Sequence, residues 1–262
     1  MRLCITSDWH LDKFTAGLCR FEDVTRSVRA VVALAKSERC DGFVFTGDLA
    51  DPGPAAHRCS AFAIEVASDL ASAGIWSRWL VGNHDVVEDG SGSSTLSPLA
   101  AVPGEIVDRD FLSRPIDVWG YRVGEWLSED VLAVALPHPA RGRGYDPEAF
   151  VRGETAPAWV REAAAGGMRL GEDEARVVLV FGHLTVPGIE RGSEVLDMPR
   201  GREVSYPVEA IRERWGDRAV CLNGHYHRSY RRAQSPVIVP GSLERLTKSE
   251  ARNEPGCLIL EV

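Results

Sequence analysis

The chain has 262 residues, 44% of them hydrophobic and 26% charged, with a formal net charge of -8. That is the balance of a globular protein long enough for one large domain, and no run approaches the roughly 20 apolar residues of a membrane helix. The acidic sign counts against a protein held to nucleic acid by bulk charge alone.

In chain order, the first apolar run is Leu3 to Thr6, a predicted strand. It runs at once into polar Ser7-Asp8, so no signal-peptide apolar region fits, and the expected location is the cytoplasm, with no membrane partner. A predicted helix follows from Glu22 to Glu38, with Val24, Val28, Val31, Val32 and Ala35 forming its apolar stripe. Next come a strand at Gly42 to Thr46, a helix from His57 to Ala73 with Phe62, Val66 and Leu70 inward, and a strand at Arg78 to Val81. Strand, helix, strand, helix, strand is the alternation of a parallel α/β unit. Beyond Val86 the composition of residues 89–94 reads as a loop. Asp117 to Leu136 then reads as strands joined by turns, implying a second, partly antiparallel sheet, with Val131 to Leu136 one of its strands. Glu148 to Ala165 reads as a helix interrupted near Pro157, and Tyr206 to Trp215 as a shorter one. The remaining strand candidates are Val177 to Phe181, Ala219 to Leu222, Val237 to Val239 and Cys257 to Val262. No repeat or linker marks a boundary, so residues 1–262 are expected to form a single domain. The six cysteines contain no C-x-x-C pair and read as free thiols.

Five clusters fall where an apolar run meets a turn: Asp8-Trp9-His10, Gly47-Asp48-Leu49-Ala50-Asp51, Gly82-Asn83-His84-Asp85, Gly182-His183 and Gly224-His225-Tyr226-His227. In an open α/β sheet, ligands bind beyond the carboxyl ends of the strands. Each cluster alone could be an ordinary turn or a satisfied polar pair. Together they hold five of the chain's seven histidines. Imidazole, carboxylate and amide oxygen without thiolate suit manganese, iron, zinc or nickel. The donors exceed what one ion takes and suit two, which lower the pKa of a bound water and offset charge on a phosphate.

The ordered set D-x-H, G-D-x-x-D, G-N-H-D, G-H and G-H-x-H resembles the calcineurin-like metallophosphoesterases. That resemblance implies a two-sheet α/β/β/α sandwich of the metallophosphoesterase type and two divalent metal ions, manganese first. It implies that Asp8, His10 and His227 hold one ion and Asn83, His183 and His225 the other, with Asp48 bridging. A bimetal-activated hydroxide would attack the phosphate while His84 protonates the leaving oxygen. Asp85 would orient His84 by a hydrogen bond, while Asp51 reads most plainly as a cap for the following helix.

A narrower similarity, in Gly182-His183-Leu184-Thr185-Val186, Gly192-Ser193-Glu194 and the tail from Asn223 to Ile259, is to the nuclease domain of the SbcD-type DNA exonucleases. It implies DNA as substrate. Nothing after Val262 corresponds to that family's capping domain or to the segment that docks an ATPase of the SbcC type, so no separate capping domain is expected and the ATPase partnership is left open. A homodimer is compatible with the reading. Arg228, and Arg141 with Arg143 after the strand end at His138, are candidate contacts for a phosphodiester; a solvated basic turn balancing nearby acids accounts for any one of them equally well. A small phosphodiester or a phosphomonoester is the alternative substrate, since the metals would recognise only phosphate.

Overall fold

A computed structural model describes residues 1–87, 91, 93–102, 115–119, 124–139, 146–154, 175–189, 204–231 and 237–262. The first strand, β1 (Arg2–Thr6), leads through a two-stranded hairpin, β2 (Phe14–Thr15) and β3 (Leu18–Cys19), into α1 (Phe21–Ser37). Then come β4 (Gly42–Phe45), α2 (Ala56–Ser72), β5 (Trp76–Leu80) and β6 (Ile116–Trp119). The second half contributes β7 (Gly124–Trp126), β8 (Val131–Leu136), α3 (Pro147–Val151), β9 (Val177–Gly182), α4 (Val208–Trp215), β10 (Ala219–Asn223), β11 (Val237–Ile238) and β12 (Leu258–Glu261).

Two five-stranded sheets result, ordered β12-β1-β4-β5-β6 and β11-β10-β9-β8-β7. Within each, four strands run parallel and one edge strand runs antiparallel: β12 against β1, and β7 against β8. The sheets pack face to face because successive side chains point to opposite faces. Leu3, Ile5, Val44 and Leu80 of the first sheet meet Ala133, Ala135, Leu179, Phe181 and Leu222 of the second. The other face of the first sheet is covered by the stripe Val24, Val28, Val31, Val32 and Ala35 of α1 and by Phe62, Val66 and Leu70 of α2. Phe150 of α3 and Ile211 and Trp215 of α4 cover the far face of the second sheet. The layering is therefore α/β/β/α, and each buried Val, Leu, Ile or Phe contributes roughly 1.5–3 kcal/mol.

Two sequence expectations are corrected. The strand at Asp117 does not enter the second sheet; β6 joins the edge of the first, parallel to β5, with Ile116 and Val118 packed among the residues under the helices and Trp119 turned between the sheets. The antiparallel share of the second sheet is confined to β7. Arg78 of β5 reaches between the sheets and forms a bidentate pair with Glu125 of β7, both contacts at 2.7 Å and both residues buried. Of the helix expected over 148–165, α3 ends at Val151 and residues 152–154 form a turn; α3 is capped by the Asp146 carboxylate on the Glu148 and Ala149 amides, and residues 155–165 lie outside the described residues. Residues 89, 90 and 92 of the expected loop lie outside them too. All six cysteines are free thiols. Among the described residues no helix is long and apolar enough to cross a membrane.

Candidate metal centre

Parallel strands put all their carboxyl ends on one side, and five turns gather there: those after β1, β4 and β5 in the first sheet and after β9 and β10 in the second. The turns are stitched to one another by backbone bonds. The Asp8 amide donates to Gly47 O at 2.9 Å, the His10 amide to Asp48 O at 3.1 Å, and the Gly224 amide to Gly182 O at 2.9 Å. Asp8, His10, Asp48 and His225 adopt left-handed backbone, with φ of 53°, 43°, 64° and 77°. Such conformations cost of order 1–3 kcal/mol each and persist only where the surroundings enforce them. Gly47 (φ 104°) and Gly82 admit no side chain, because a Cβ would collide with the His183 ring in the first case and with the Asp48 carboxylate in the second.

The residues between the ligands explain how the ligands are aimed. Trp9 separates Asp8 from His10 and is fully buried against Phe43, Phe45 and Trp79, its Nε1 donating to Thr6 Oγ1 at 3.0 Å. Tyr226 separates His225 from His227 and is buried in the second sheet's outer core, its hydroxyl accepting from the Val186 amide at 2.9 Å. Each anchor fixes the polar residues on either side of it. Asn223 ties the turns after β9 and β10 together, bonding both the amide and the carbonyl of Leu184.

Two groups of buried donors form, Asp8 with His10 and His227, and Asp48 with His183 and His225, the ligand atoms of each within 4.8 Å of one another. His10 Nε2 and His227 Nε2 face each other at 3.1 Å. Asp48 Oδ2 lies 3.0 Å from His183 Nε2 and 3.6 Å from His10 Nε2, so its carboxylate stands between the groups. Asn83 Oδ1 is 3.1 Å from His225 Nδ1, on the Asp48 side. His183 Nδ1 donates to Thr46 O at 2.6 Å, which leaves Nε2 as the ligating atom.

Whether these residues suit cations is answered by what they lack. Asp8 Oδ1 is buried with no hydrogen-bond partner, 3.9 Å from both His183 Nε2 and His227 Nε2. A bare buried carboxylate oxygen is costly unless paired or bound to metal. Burial pushes the Asp8 carboxyl up to about 6 although His183 and His227 oppose it. Burial would raise Asp48 too, yet His183 and His84 outweigh it and hold that carboxyl well below the usual range. Burial disfavours charge on His183, but Asp48 and Asp8 keep its imidazolium to about 9, while burial and then His183 drive His225 down to about 3. A proton thus sits where divalent cations would. The donor set, nitrogen and oxygen without thiolate, fits two such ions.

His84 stands over the cluster, its ring 5.0 Å from that of His10 and its amide donating to Asp48 Oδ1 at 2.9 Å. Its carboxylate partner is not Asp85. Asp85 is fully buried and accepts from the amides of Asp48, Leu49 and Gly82, each at 2.9 Å, and from Thr95 Oγ1 at 2.6 Å, so it clamps the turn after β5 to the turn after β4. The group on His84 Nδ1 is Asp51. Nor does Asp51 cap α2, whose N-cap is Ala55 with no side-chain bond. The G-D-x-x-D spacing was the available signal for Asp51; its partner 33 residues on was not visible from it.

Arg228 is exposed directly after His227, and Arg141 and Arg143 lie outside the described residues. Arg231 lines a groove of about 420 Å³ with Arg2, Glu38 and β12, at the opposite end of β1 from Asp8. His138 follows β8, its amide donating to Val81 O at 3.0 Å. Sequence reasoning missed Asn223, the Thr46 carbonyl and Glu250, whose Oε1 lies 2.9 Å from His227 Nδ1.

A family model described as calcineurin-like phosphoesterase matches residues 1–229. Among solved structures, a dimetal phosphatase from Danio rerio is similar at 16% identity and a TM-score of 0.54, over 92% of this chain and 87% of that one. A protein of Thermus thermophilus is similar at 15% identity and 0.52, over 92% and 89%. These likenesses concern the fold. No match was found among curated proteins.

Proposed function

The chain belongs to the calcineurin-like phosphoesterase family, and from that premise we propose that it is a metal-dependent phosphodiesterase acting on DNA, a nuclease of the SbcD type. The observation that carries the hydrolytic reading is the pair of buried three-donor groups meeting at Asp48. Bound there, two divalent ions, manganese before iron, zinc or nickel, supply Lewis acidity toward a phosphate oxygen and an attacking water.

The chain's own residues do the rest. Asp8, His10 and His227 would hold one ion, Asn83, His183 and His225 the other, with Asp48 shared between them. His84 delivers the proton to the leaving oxygen from Nε2, because Asp51 engages Nδ1 and fixes which nitrogen faces the substrate. Asp85 keeps Asp48 and Asn83 in register through the backbone. Support for DNA is the sequence similarity of the tail and the exposed guanidinium of Arg228 beside His227, a shape suited to phosphodiester oxygens. A single domain, a homodimer and an SbcC-type ATPase partner belong to the same reading as points to measure.

A second reading, hydrolysis of a small diester or a phosphomonoester, is favoured by the neighbour named as a dimetal phosphatase. Digestion of end-labelled duplex and single-stranded DNA with added manganese, beside a chromogenic diester and a monoester, separates the two. The expected result is cleavage of DNA by the wild type and none by Asp48→Ala. A wild type that leaves DNA intact while cleaving the small diester would refute the nuclease reading.

A further inference from the structure

Glu250 is 2% exposed, unusual for a carboxylate, and sits 23 residues beyond His227 in a short turn over Lys248–Glu250. Its Oε1 lies 2.9 Å from His227 Nδ1 and accepts from Thr247 Oγ1 at 2.9 Å; its Oε2 accepts from the Leu246 amide at 2.7 Å. The segment that carries it is pinned from outside. Thr15 Oγ1 donates to Leu246 O at 2.6 Å, Arg20 donates to Arg245 O at 2.7 Å and to Glu244, and Leu246 is buried. The carboxylate is therefore held in place before it meets the histidine.

With Glu250 on Nδ1, the His227 proton is fixed there and the Nε2 lone pair points at His10 Nε2 and Asp8. A carboxylate in that position orients the ring and raises its basicity as a ligand. The other group is backed differently: His183 Nδ1 meets a neutral carbonyl, that of Thr46.

We propose that Glu250 is a positioning residue that sets the cation affinity of the Asp8/His10/His227 subsite through His227, so that the two subsites differ in strength. This rests on the two-ion reading above. The subsite backed by an added negative charge binds the more tightly, and the other fills at higher metal concentration.

The test is manganese binding to chelator-stripped protein, followed by calorimetry and by the electron-spin signal of free and bound ion. Wild type should take up two ions. Glu250→Gln removes the charge and keeps a single oxygen acceptor, which can serve His227 Nδ1 or the Leu246 amide but not both; it should weaken one ion by about 10–100-fold and spare the other. The loss should persist in an Asn83→Ala background, where the second subsite is impaired. Thr247→Val, which removes one donor to Glu250 Oε1 but keeps the carboxylate's charge and its bond to His227, should shift the affinity of that subsite far less than Glu250→Gln and so separates the strap's packing from the charge it carries. Two ions bound with equal strength in Glu250→Gln and wild type would overturn the inference while leaving the two-ion centre standing. Equal weakening of both ions would also overturn it. A wild type that binds no ion would overturn the centre and this inference together.

Discussion

His84 and Asp85 are adjacent in the chain and are given different tasks by their surroundings. Asp85 is consumed by four donors, while His84 leans on Asp51 from another turn. His84→Ala should therefore retain metal, measured by elemental analysis, while turnover falls by about 10²–10⁴, the usual worth of a positioned acid. Asp51→Asn should lose a smaller part of the same factor with metal content unchanged. An Asp51→Asn enzyme with full turnover would show that the pair does not act on the leaving oxygen. His183 gives a second test. Its folded pKa, about 9, lies above its ordinary 6.5, so the ion-free protein gains stability from its charge below pH 6.5 and loses that contribution as pH rises through 9. Metal must displace that proton, so cation affinity should move the opposite way, rising from about pH 6 to 9 with measurable proton release. Calorimetry in buffers of different ionisation enthalpy reads both. An affinity flat over that range would contradict the assigned role of His183.

At the scale of the element, what was legible in the sequence was what local chemistry dictates. The apolar stripes of α1 and α2, the runs that became β1, β4, β8, β9 and β10, and the polar clusters after them could be read because periodicity and abrupt polarity changes are local signals. The placement of β6 was not legible, since edge pairing is decided by partners distant in sequence, here Ser77 with Ile116. The same holds for Glu250 and for the choice of Asp51 over Asp85: both depend on turns that come together only in the folded chain. The Arg78–Glu125 pair was equally hidden, and it makes a prediction about the joint between sheets. Both groups are buried, so Glu125→Ala removes the carboxylate that faces a buried guanidinium and should cost about 3–5 kcal/mol in chemical denaturation. The double change Arg78→Met with Glu125→Leu should recover most of that loss. If Glu125→Ala unfolds at the wild-type midpoint, the pair does not hold the sheets.

For the whole molecule, each donor group draws on both sheets: Asp8 and His10 follow β1 while His227 follows β10, and Asp48 and Asn83 follow β4 and β5 while His183 and His225 follow β9 and β10. Cations bound there stabilise the sandwich as a unit. At a free concentration of 100 times the dissociation constant, each ion adds about 2.7 kcal/mol to the folded state. Chelation should lower the thermal midpoint, and re-addition of manganese should restore it; a midpoint indifferent to both would place the ions elsewhere.

The spread of the ligands from residue 8 to residue 227 also has a meaning during synthesis. A nascent chain from which β1, β4, β5 and β6 have emerged holds Asp8, His10, Asp48 and Asn83 but none of the imidazoles that follow β9 and β10. Such a half-made chain lacks imidazoles from both donor groups, and neither group is complete until His225 and His227 have left the ribosome.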